Sequence, residues 1–150
     1  MKGKQMEIKI KRLHNDVKIP TKAHPSDAGF DLYACLDKEI YIAPNQTIMI
    51  PTGFAWEIPE GYFGGIYARS GLAAKENLRP ANCVGVVDSS YRGEVIVAIH
   101  NDGVSYIRQI SPNEKIAQMV IHSCVECNLT EVEELSFTER GNGGFGSSGK

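Results

Sequence analysis

Short stretches of alternating apolar and polar residues recur along most of the chain. Residues 6–11 alternate with a period of two, and residues 30–34 do so approximately. Because successive side chains of a strand point to opposite faces, this pattern predicts half-buried strands. Composition and flanking turn residues predict further strands at 47–50, 54–58, 62–67, 84–87, 94–100, 106–110 and 116–122.

Turn-forming residues separate these segments, and helix-forming composition is confined to one place. Gly and Pro make up 22 of 150 residues and are spread along the chain. Residues 71–77 alone have the composition of a helix, about two turns long. Many short strands with one short helix predict an all-β fold, a jelly-roll β-barrel or sandwich. We expect one such domain over residues 1–137.

The C-terminal residues have a different composition and are predicted to form a flexible arm over residues 138–150. Residues 140–150 contain five glycines in eleven positions, too many for a packed element. Among the glycines stand Arg140, Phe145, Ser147 and Ser148. A guanidinium, an aromatic ring and hydroxyl groups suit phosphate and base contacts, so the composition favours an arm that closes over a nucleotide.

Overall charge and hydropathy exclude several classes of partner. The formal net charge is −2, which gives no basic surface for nucleic acid or an anionic membrane. The longest apolar run, residues 95–99, is too short for a signal peptide or a membrane helix. We therefore expect a cytoplasmic protein whose four cysteines are thiols. Cys124 and Cys127 have the spacing of half a zinc site, but no second cysteine pair completes it.

Two local groups of residues are candidates for chemistry. Arg69, Ser70 and Gly71 stand at the start of the predicted helix, where a cation and backbone N–H groups suit phosphate, although a helix cap beside a surface Arg is the alternative. Asp88 follows one predicted strand and precedes another, at a hairpin tip or in an adjoining loop. Its carboxylate is exposed to a bound molecule there, although an ordinary turn Asp is the alternative.

Five separate segments together resemble one family, the trimeric deoxyuridine triphosphate nucleotidohydrolases (dUTPases). In order and spacing, the family's five motifs are similar to residues 27–34, 68–73, 85–93, 115–119 and 140–149. The resemblance implies a β jelly roll that forms a homotrimer, with each site at a subunit interface and closed by a neighbour's arm. The chain departs from the usual motifs at Ala68 and Ser90, and at residues 113–115.

The resemblance also implies a reaction, the Mg²⁺-assisted hydrolysis of dUTP to dUMP and pyrophosphate. This reaction removes dUTP and supplies dUMP for thymidylate synthesis. Asp88 matches the family's water-activating carboxylate. Asp31 is the candidate for outer-sphere support of Mg²⁺ through water. No nucleic acid or membrane partner is implied.

The remaining site residues follow from the same resemblance. The phosphate contacts it implies are Arg69, Ser70, Gly71 and Gln118, with Arg140, Gly146, Ser147 and Ser148 closing from the arm. The uracil and deoxyribose contacts it implies are Asn82, Gly85, Val87, Tyr91 and Phe145. A β-hairpin that contains residues 82–87 is expected to contact the uracil edge. Phe145 is expected to stack on the base, and Tyr91 to exclude a 2′-hydroxyl.

Two other functions are compatible with parts of this pattern. A deoxycytidine triphosphate deaminase shares the jelly roll, but we expect it to differ in the third motif. A non-enzymatic nucleotide-sensing trimer would keep the phosphate motifs and could lose Asp88 or the arm. Both features are present in this chain, which favours the hydrolase.

Overall fold

The computed structural model describes residues 6–82 and 84–144. These residues form ten strands and one short helix. The elements are β1 Lys9–Arg12, β2 Gly29–Tyr33, β3 Ile40–Ile42, β4 Thr47–Glu57, β5 Tyr62–Tyr67, α1 Ser70–Glu76, β6 Leu78–Pro80, β7 Gly85–Val87, β8 Glu94–Asn101, β9 Arg108–Ile110 and β10 Lys115–Ser123. At seven residues, α1 is too short to cross a membrane, and no other helix occurs in the described part of the chain.

The strands form two four-stranded sheets and one ribbon. The first sheet has the order β1-β4-β8-β6, the second sheet has the order β2-β10-β5-β7, and β3 pairs with β9. All these pairs are antiparallel. The all-β, jelly-roll-like fold predicted from the sequence is confirmed, with the described strands in open sheets rather than a closed barrel.

Alternation along the strands builds one core between the two sheets. In β8, the buried residues Val95, Val97 and Ile99 lie two positions apart, so they point to the same face. They belong to the same buried cluster as Leu32 and Met119 of the second sheet. The inner faces of both sheets therefore share one hydrophobic core.

One long strand replaces two predicted ones in the first sheet. Strand β4 contains all of the predicted strand 47–50 and residues 54–57 of the predicted strand 54–58. Its pairing with β8 is irregular between Pro51 and Ala55. Gly53, within this irregularity, has a φ of +75°, which a residue with a side chain rarely adopts. Residues 51–53, which separate the two predicted strands, thus form a bulge inside one strand.

The connections around β7 cross between sheets. Strand β6 pairs with β8 in the first sheet, whereas β7 pairs with β5 in the second. The β-hairpin expected over residues 82–87 is therefore wrong for the described residues, which pass from one sheet to the other. For the same reason, residues 88–93 form a loop between sheets and not a hairpin tip.

After β10 the described chain has no further strand or helix. The Cys124 N–H donates to the Gly61 carbonyl at 2.7 Å and fixes the start of this segment. Farther along, Leu129, Leu135 and Phe137 are almost fully exposed. The chain thus leaves the second sheet at Ser123, before the arm predicted from residue 138.

Candidate active site

The first group of site residues lies where β5 leads into α1. Arg69 is the N-cap of the helix, with extended backbone, and Ser70 and Gly71 follow as its first residues. No side chain caps the first turn, and that turn contains no acidic residue. Its backbone N–H groups therefore remain available beside the Arg69 guanidinium.

Strands β2 and β10 bring three more polar side chains to this place. Asp31 pairs with Gln118 across the two strands. Arg69 Nε lies 3.2 Å from Asp31 Oδ1, and Lys115 Nζ lies 2.6 Å from Asp31 Oδ2. Gln118 Nε2 donates to the Ala68 carbonyl at 3.0 Å. We call Asp31, Arg69, Ser70, Gly71, Lys115 and Gln118 the phosphate cluster.

Lys115 is a member of this cluster that sequence reasoning did not single out. Lys115 and Gln118 are three residues apart, so on a regular strand their side chains would point to opposite faces. A register shift between Lys115 and Ala117 places two β10 residues against one of β2. The irregularity brings Lys115 beside Asp31. In the sequence, the only indication that Lys115 belongs to the site is its position in the fourth motif.

Gly29 gives Gln118 the space it occupies. A Cβ atom at position 29 would lie 2.6 Å from Gln118 Oε1, closer than nonbonded atoms approach. Gly29 faces Val120 across β2 and β10, one pair beyond Met119 and Phe30. Gly29 of the first motif therefore leaves room for the Gln118 side chain of the fourth motif.

The second group of site residues surrounds a cavity of about 300 Å³. The predicted residues Asn82, Gly85, Val87, Asp88 and Tyr91 all line it. Met49, Ile66 and Ile96 add apolar surface. We call these five predicted residues the nucleoside cluster, since an apolar cavity with a few polar groups suits a base and a sugar.

Two local contacts fix the Tyr91 ring in this cavity. The Tyr91 hydroxyl donates to the Glu94 carbonyl at 2.9 Å, and the Tyr91 backbone N–H donates to the Asp88 carbonyl at 3.1 Å. Gly93 lies against the ring, because a Cβ there would be 2.4 Å from the Tyr91 hydroxyl oxygen. The loop thus holds Tyr91 and Asp88 in a fixed relation.

Asp88 and the phosphate cluster lie toward opposite ends of β5. Val87, just before Asp88, pairs with Gly64 near the start of that strand. Arg69 is five residues beyond Gly64, and a strand rises by about 3.3 Å per residue, so about 16 Å of backbone separates the two levels. One chain therefore holds the phosphate cluster and Asp88 well apart.

The arm residues are separate from both clusters where they are described. Arg140 Nε donates to the Gly143 carbonyl at 2.9 Å, within a local turn. It has no hydrogen bond or ion pair to either cluster among residues 6–82 and 84–144. The predicted contacts at Phe145, Gly146, Ser147 and Ser148 lie outside the described residues.

Comparison with known proteins gives the family of the chain. The dUTPase family profile matches residues 15–149. The chain belongs to the dUTPase family. A deoxyuridine 5′-triphosphate nucleotidohydrolase of Syntrophotalea carbinolica is 42% identical, covering 97% of this chain and 99% of that protein. The same enzyme of Nautilia profundicola is 45% identical and covers 97% of this chain and all of that protein.

Solved dUTPase structures share the fold. A single-residue mutant of the dUTPase of Staphylococcus bacteriophage 80alpha, with dUpNHpp, has a TM-score of 0.87 and 29% identity over 97% of this chain and all of that chain. A dUTPase variant of the S. aureus phage phi11, described with a structural Mg(II) ion, has a TM-score of 0.77 and 27% identity over 88% of this chain and all of that one.

Proposed function

We propose that this chain is a dUTP diphosphatase, which hydrolyses dUTP to dUMP and pyrophosphate by attack of water on the α-phosphorus. The reaction would lower cellular dUTP and supply dUMP for thymidylate synthesis. Membership of the dUTPase family supports the reaction. The observation that carries the proposal is the cavity of about 300 Å³, where Asp88 lies beside the residues expected to contact uracil and deoxyribose.

Asp88 is the proposed catalytic residue. Its side chain is exposed, and the carboxylate has no hydrogen bond or ion pair to any other described residue. A carboxylate in this position can orient a water molecule and accept its proton during attack. A carboxylate alone is a weak base, so most of the acceleration must come from positioning and from neutralising the triphosphate charge.

Phosphate binding is the proposed role of Arg69, Ser70, Gly71 and Gln118. The Arg69 guanidinium and the uncapped N–H groups of α1 are donors suited to phosphate oxygens. Gln118 lies beside them through its bond to the Ala68 carbonyl. We propose that Arg140, Gly146, Ser147 and Ser148 of an arm close this site over the terminal phosphate.

Selection of the nucleoside is the proposed role of the second cluster. Asn82, Gly85 and Val87 would contact the uracil edge and leave no room for the methyl group of thymine. The fixed Tyr91 ring would pack on the deoxyribose, where a 2′-hydroxyl would clash. Phe145 of an arm would stack on the base, since aromatic rings bind bases through stacking.

Mg²⁺ is the proposed cofactor, bound with the substrate. Among residues 6–82 and 84–144, no three His, Cys, Asp or Glu side chains are arranged to hold a metal. Both Asp31 carboxylate oxygens lie beside cations, so Asp31 fits only a contact through water. The residues therefore fit an ion held mainly by phosphate oxygens and water, as Mg²⁺ prefers. Bound there, Mg²⁺ would neutralise part of the phosphate charge.

A homotrimer with sites at subunit interfaces is the proposed assembly. The separation of about 16 Å along β5 supports a site that takes its phosphate cluster and its Asp88 from different chains. The exposed Leu129, Leu135 and Phe137 support a C-terminal segment that packs on a neighbour. We propose that residues 1–137 form the catalytic domain and residues 138–150 the arm that closes a neighbouring site.

One assay separates this proposal from its alternatives. The protein is incubated with dUTP, dCTP, UTP or dTTP in the presence of Mg²⁺, and pyrophosphate and ammonia are measured. We expect pyrophosphate from dUTP, little from the other three nucleotides, and no ammonia. Ammonia from dCTP would identify a deaminase. Nucleotide binding without either product would identify a non-enzymatic sensor.

A further inference from the structure

Asp31 holds two cations in the phosphate cluster, and the outer parts of both cations reach solvent. The Asp31 side chain is 13% exposed, whereas those of Arg69 and Lys115 are 34% and 35% exposed. Arg69 Nε and Lys115 Nζ lie beside different oxygens of the carboxylate. The carboxylate is therefore the covered member of the group, and the cations are its accessible members.

Arg69 is held at two points by its neighbours. Besides the contact of its Nε with Asp31, its Nη1 donates to the Lys115 carbonyl at 3.4 Å. A guanidinium is planar and has five N–H donors, so two anchored donors fix its plane and leave others for a ligand. Asp31 and the Lys115 backbone thus orient Arg69.

The charge balance of the group depends on Lys115. Arg69 and Asp31 alone would be neutral, and Lys115 brings the net charge of the three to +1. An ammonium has three donors, of which the Asp31 contact needs only one. Lys115 can therefore remain paired and still donate to an anion.

We propose that Lys115 is a phosphate-binding residue of this site and that Asp31 is a positioning residue, which holds Lys115 and Arg69 toward the triphosphate. The proposal rests on the proposed function, because it concerns the same site. It adds the orientation of two cations to the water-mediated support of Mg²⁺ proposed for Asp31. Binding measured with and without Mg²⁺ separates these two roles.

Two variants remove the charge of Lys115 in different ways. Lys115→Gln keeps an N–H donor for Asp31, and Lys115→Met keeps an unbranched apolar stem. Lys115→Arg keeps the charge. Lys9→Met is the matched control, because Lys9 forms a similar ion pair of 2.8 Å with Glu57 on the first sheet, away from the cluster. Thermal unfolding establishes which variants fold, and one folded charge-removing variant is sufficient.

The measurements are dUTP kinetics and calorimetric binding of inorganic tripolyphosphate with EDTA present. For Lys115→Gln or Lys115→Met we expect KM for dUTP and Kd for tripolyphosphate to rise about tenfold, with kcat changed by less than about threefold, since a charge-assisted hydrogen bond is lost. Lys115→Arg should restore both values to within about threefold, and Lys9→Met should change neither. A lower melting temperature with unchanged KM and Kd would show that Lys115 is only structural and would overturn the proposal.

Asp31→Asn tests the positioning role. We expect it to weaken binding of a non-hydrolysable imido analogue of dUTP both with Mg²⁺ and with EDTA. Weakening that appears only with Mg²⁺ would overturn the positioning role. A wild-type protein that binds tripolyphosphate through Lys115 but does not hydrolyse dUTP would refute the proposed function and leave this inference standing.

Discussion

At the residue scale, the position of Asp88 separates catalysis from folding. Val87 before it is buried in the core, whereas the Asp88 side chain is exposed at the edge of the nucleoside cavity. Since the Asp88 side chain has no hydrogen bond or ion pair among the described residues, its replacement breaks neither kind of contact. Changes in activity at this position can therefore be interpreted without a large change in stability.

Asp88→Asn should keep dUTP binding and lose turnover. Asparagine has the same shape but cannot accept the proton of water, so we expect kcat to fall by at least about a hundredfold. The Kd of a non-hydrolysable dUTP analogue should stay within about threefold of the wild-type value. Steady-state kinetics and calorimetry measure these quantities. Near-normal turnover would refute the assignment of Asp88 as the base.

Tyr91→Ala should relax the discrimination between deoxyribose and ribose. Removing a fixed ring opens space near C2′, so we expect the ratio of kcat/KM for UTP to that for dUTP to rise by about tenfold or more. Tyr41→Ala, at an exposed tyrosine on β3, is the control and should leave the ratio unchanged. An unchanged ratio in Tyr91→Ala would exclude Tyr91 as the residue that contacts the sugar.

The described cysteines should differ in their rates of alkylation. Burial, with smaller contributions from the Glu94 and Asp37 carboxylates, raises the pKa of the Cys35 thiol. A raised pKa lowers the fraction of reactive thiolate at neutral pH. Iodoacetamide at pH 7.5 should therefore label the exposed Cys124 and Cys127 before Cys35. Peptide mass mapping over time measures the order, and faster labelling of Cys35 would contradict it.

At the scale of elements, two glycines with positive φ lie within and just after β4. Gly53 has positive φ within the irregular part of β4, and its N–H donates to Glu94 Oε1 at 2.7 Å. A Cβ at this position would lie 2.4 Å from Val17 Cγ1. Gly61 has a similar φ of +82°, but a Cβ there would meet nothing within 4 Å. The two positions thus differ in packing, but both have a positive φ that would strain a residue with a side chain.

Gly53→Ala should be much more destabilising than Gly61→Ala. Strain alone should cost Gly61→Ala about 1 kcal/mol, whereas strain and steric overlap should cost Gly53→Ala about 3 kcal/mol or more. Urea unfolding at one fixed protein concentration measures both values. Equal free energies of unfolding for the two variants would contradict the role of the Val17 contact.

The sequence pattern was most informative where a strand is regular. Strand β5 begins and ends where residues 62–67 were predicted, and β8 extends only one residue beyond 94–100. The three-residue strands β3 and β6 were missed because they are too short to show a period. The place of Lys115 was missed because it depends on a register shift in β10. The crossing from β6 to β7 depends on long-range pairing, which local turn residues do not encode.

At the scale of the whole molecule, the two clusters behave as separable parts. Each chain carries both, yet about 16 Å of backbone lies between the levels of Asp88 and Arg69. In a closed assembly, each chain would therefore contribute Asp88 to one site and its phosphate cluster to another. Mixing inactive variants of the two clusters tests this arrangement directly.

Asp88→Asn and Arg69→Gln should be inactive alone and active when mixed. If equal amounts are refolded together and subunits mix at random, each site has a probability of one half for an intact Asp88 and one half for an intact Arg69. About a quarter of sites should then function under three-fold symmetry. Mixed trimers are confirmed by mass, and activity near zero in them would show that both clusters of a site come from one chain.

The arm is tested by the same method. A truncation that ends at Glu139 is mixed with Asp88→Asn, whose arm is intact. If the arm closes a neighbouring site, random mixing should again restore about a quarter of sites. No restored activity would show that the arm and the Asp88 of a site come from one chain, and the assignment of the other site residues would not change.

The separation of Asp88 from the phosphate cluster along β5 has a consequence for inheritance. In a cell with one normal and one altered gene copy, loss of either cluster alone should leave half of the sites active, in proportion to gene dose. A chain that has lost both clusters should leave only about a quarter, because each working site needs two normal chains. Two recessive-like changes would thus combine into a partly dominant one when they fall on the same copy.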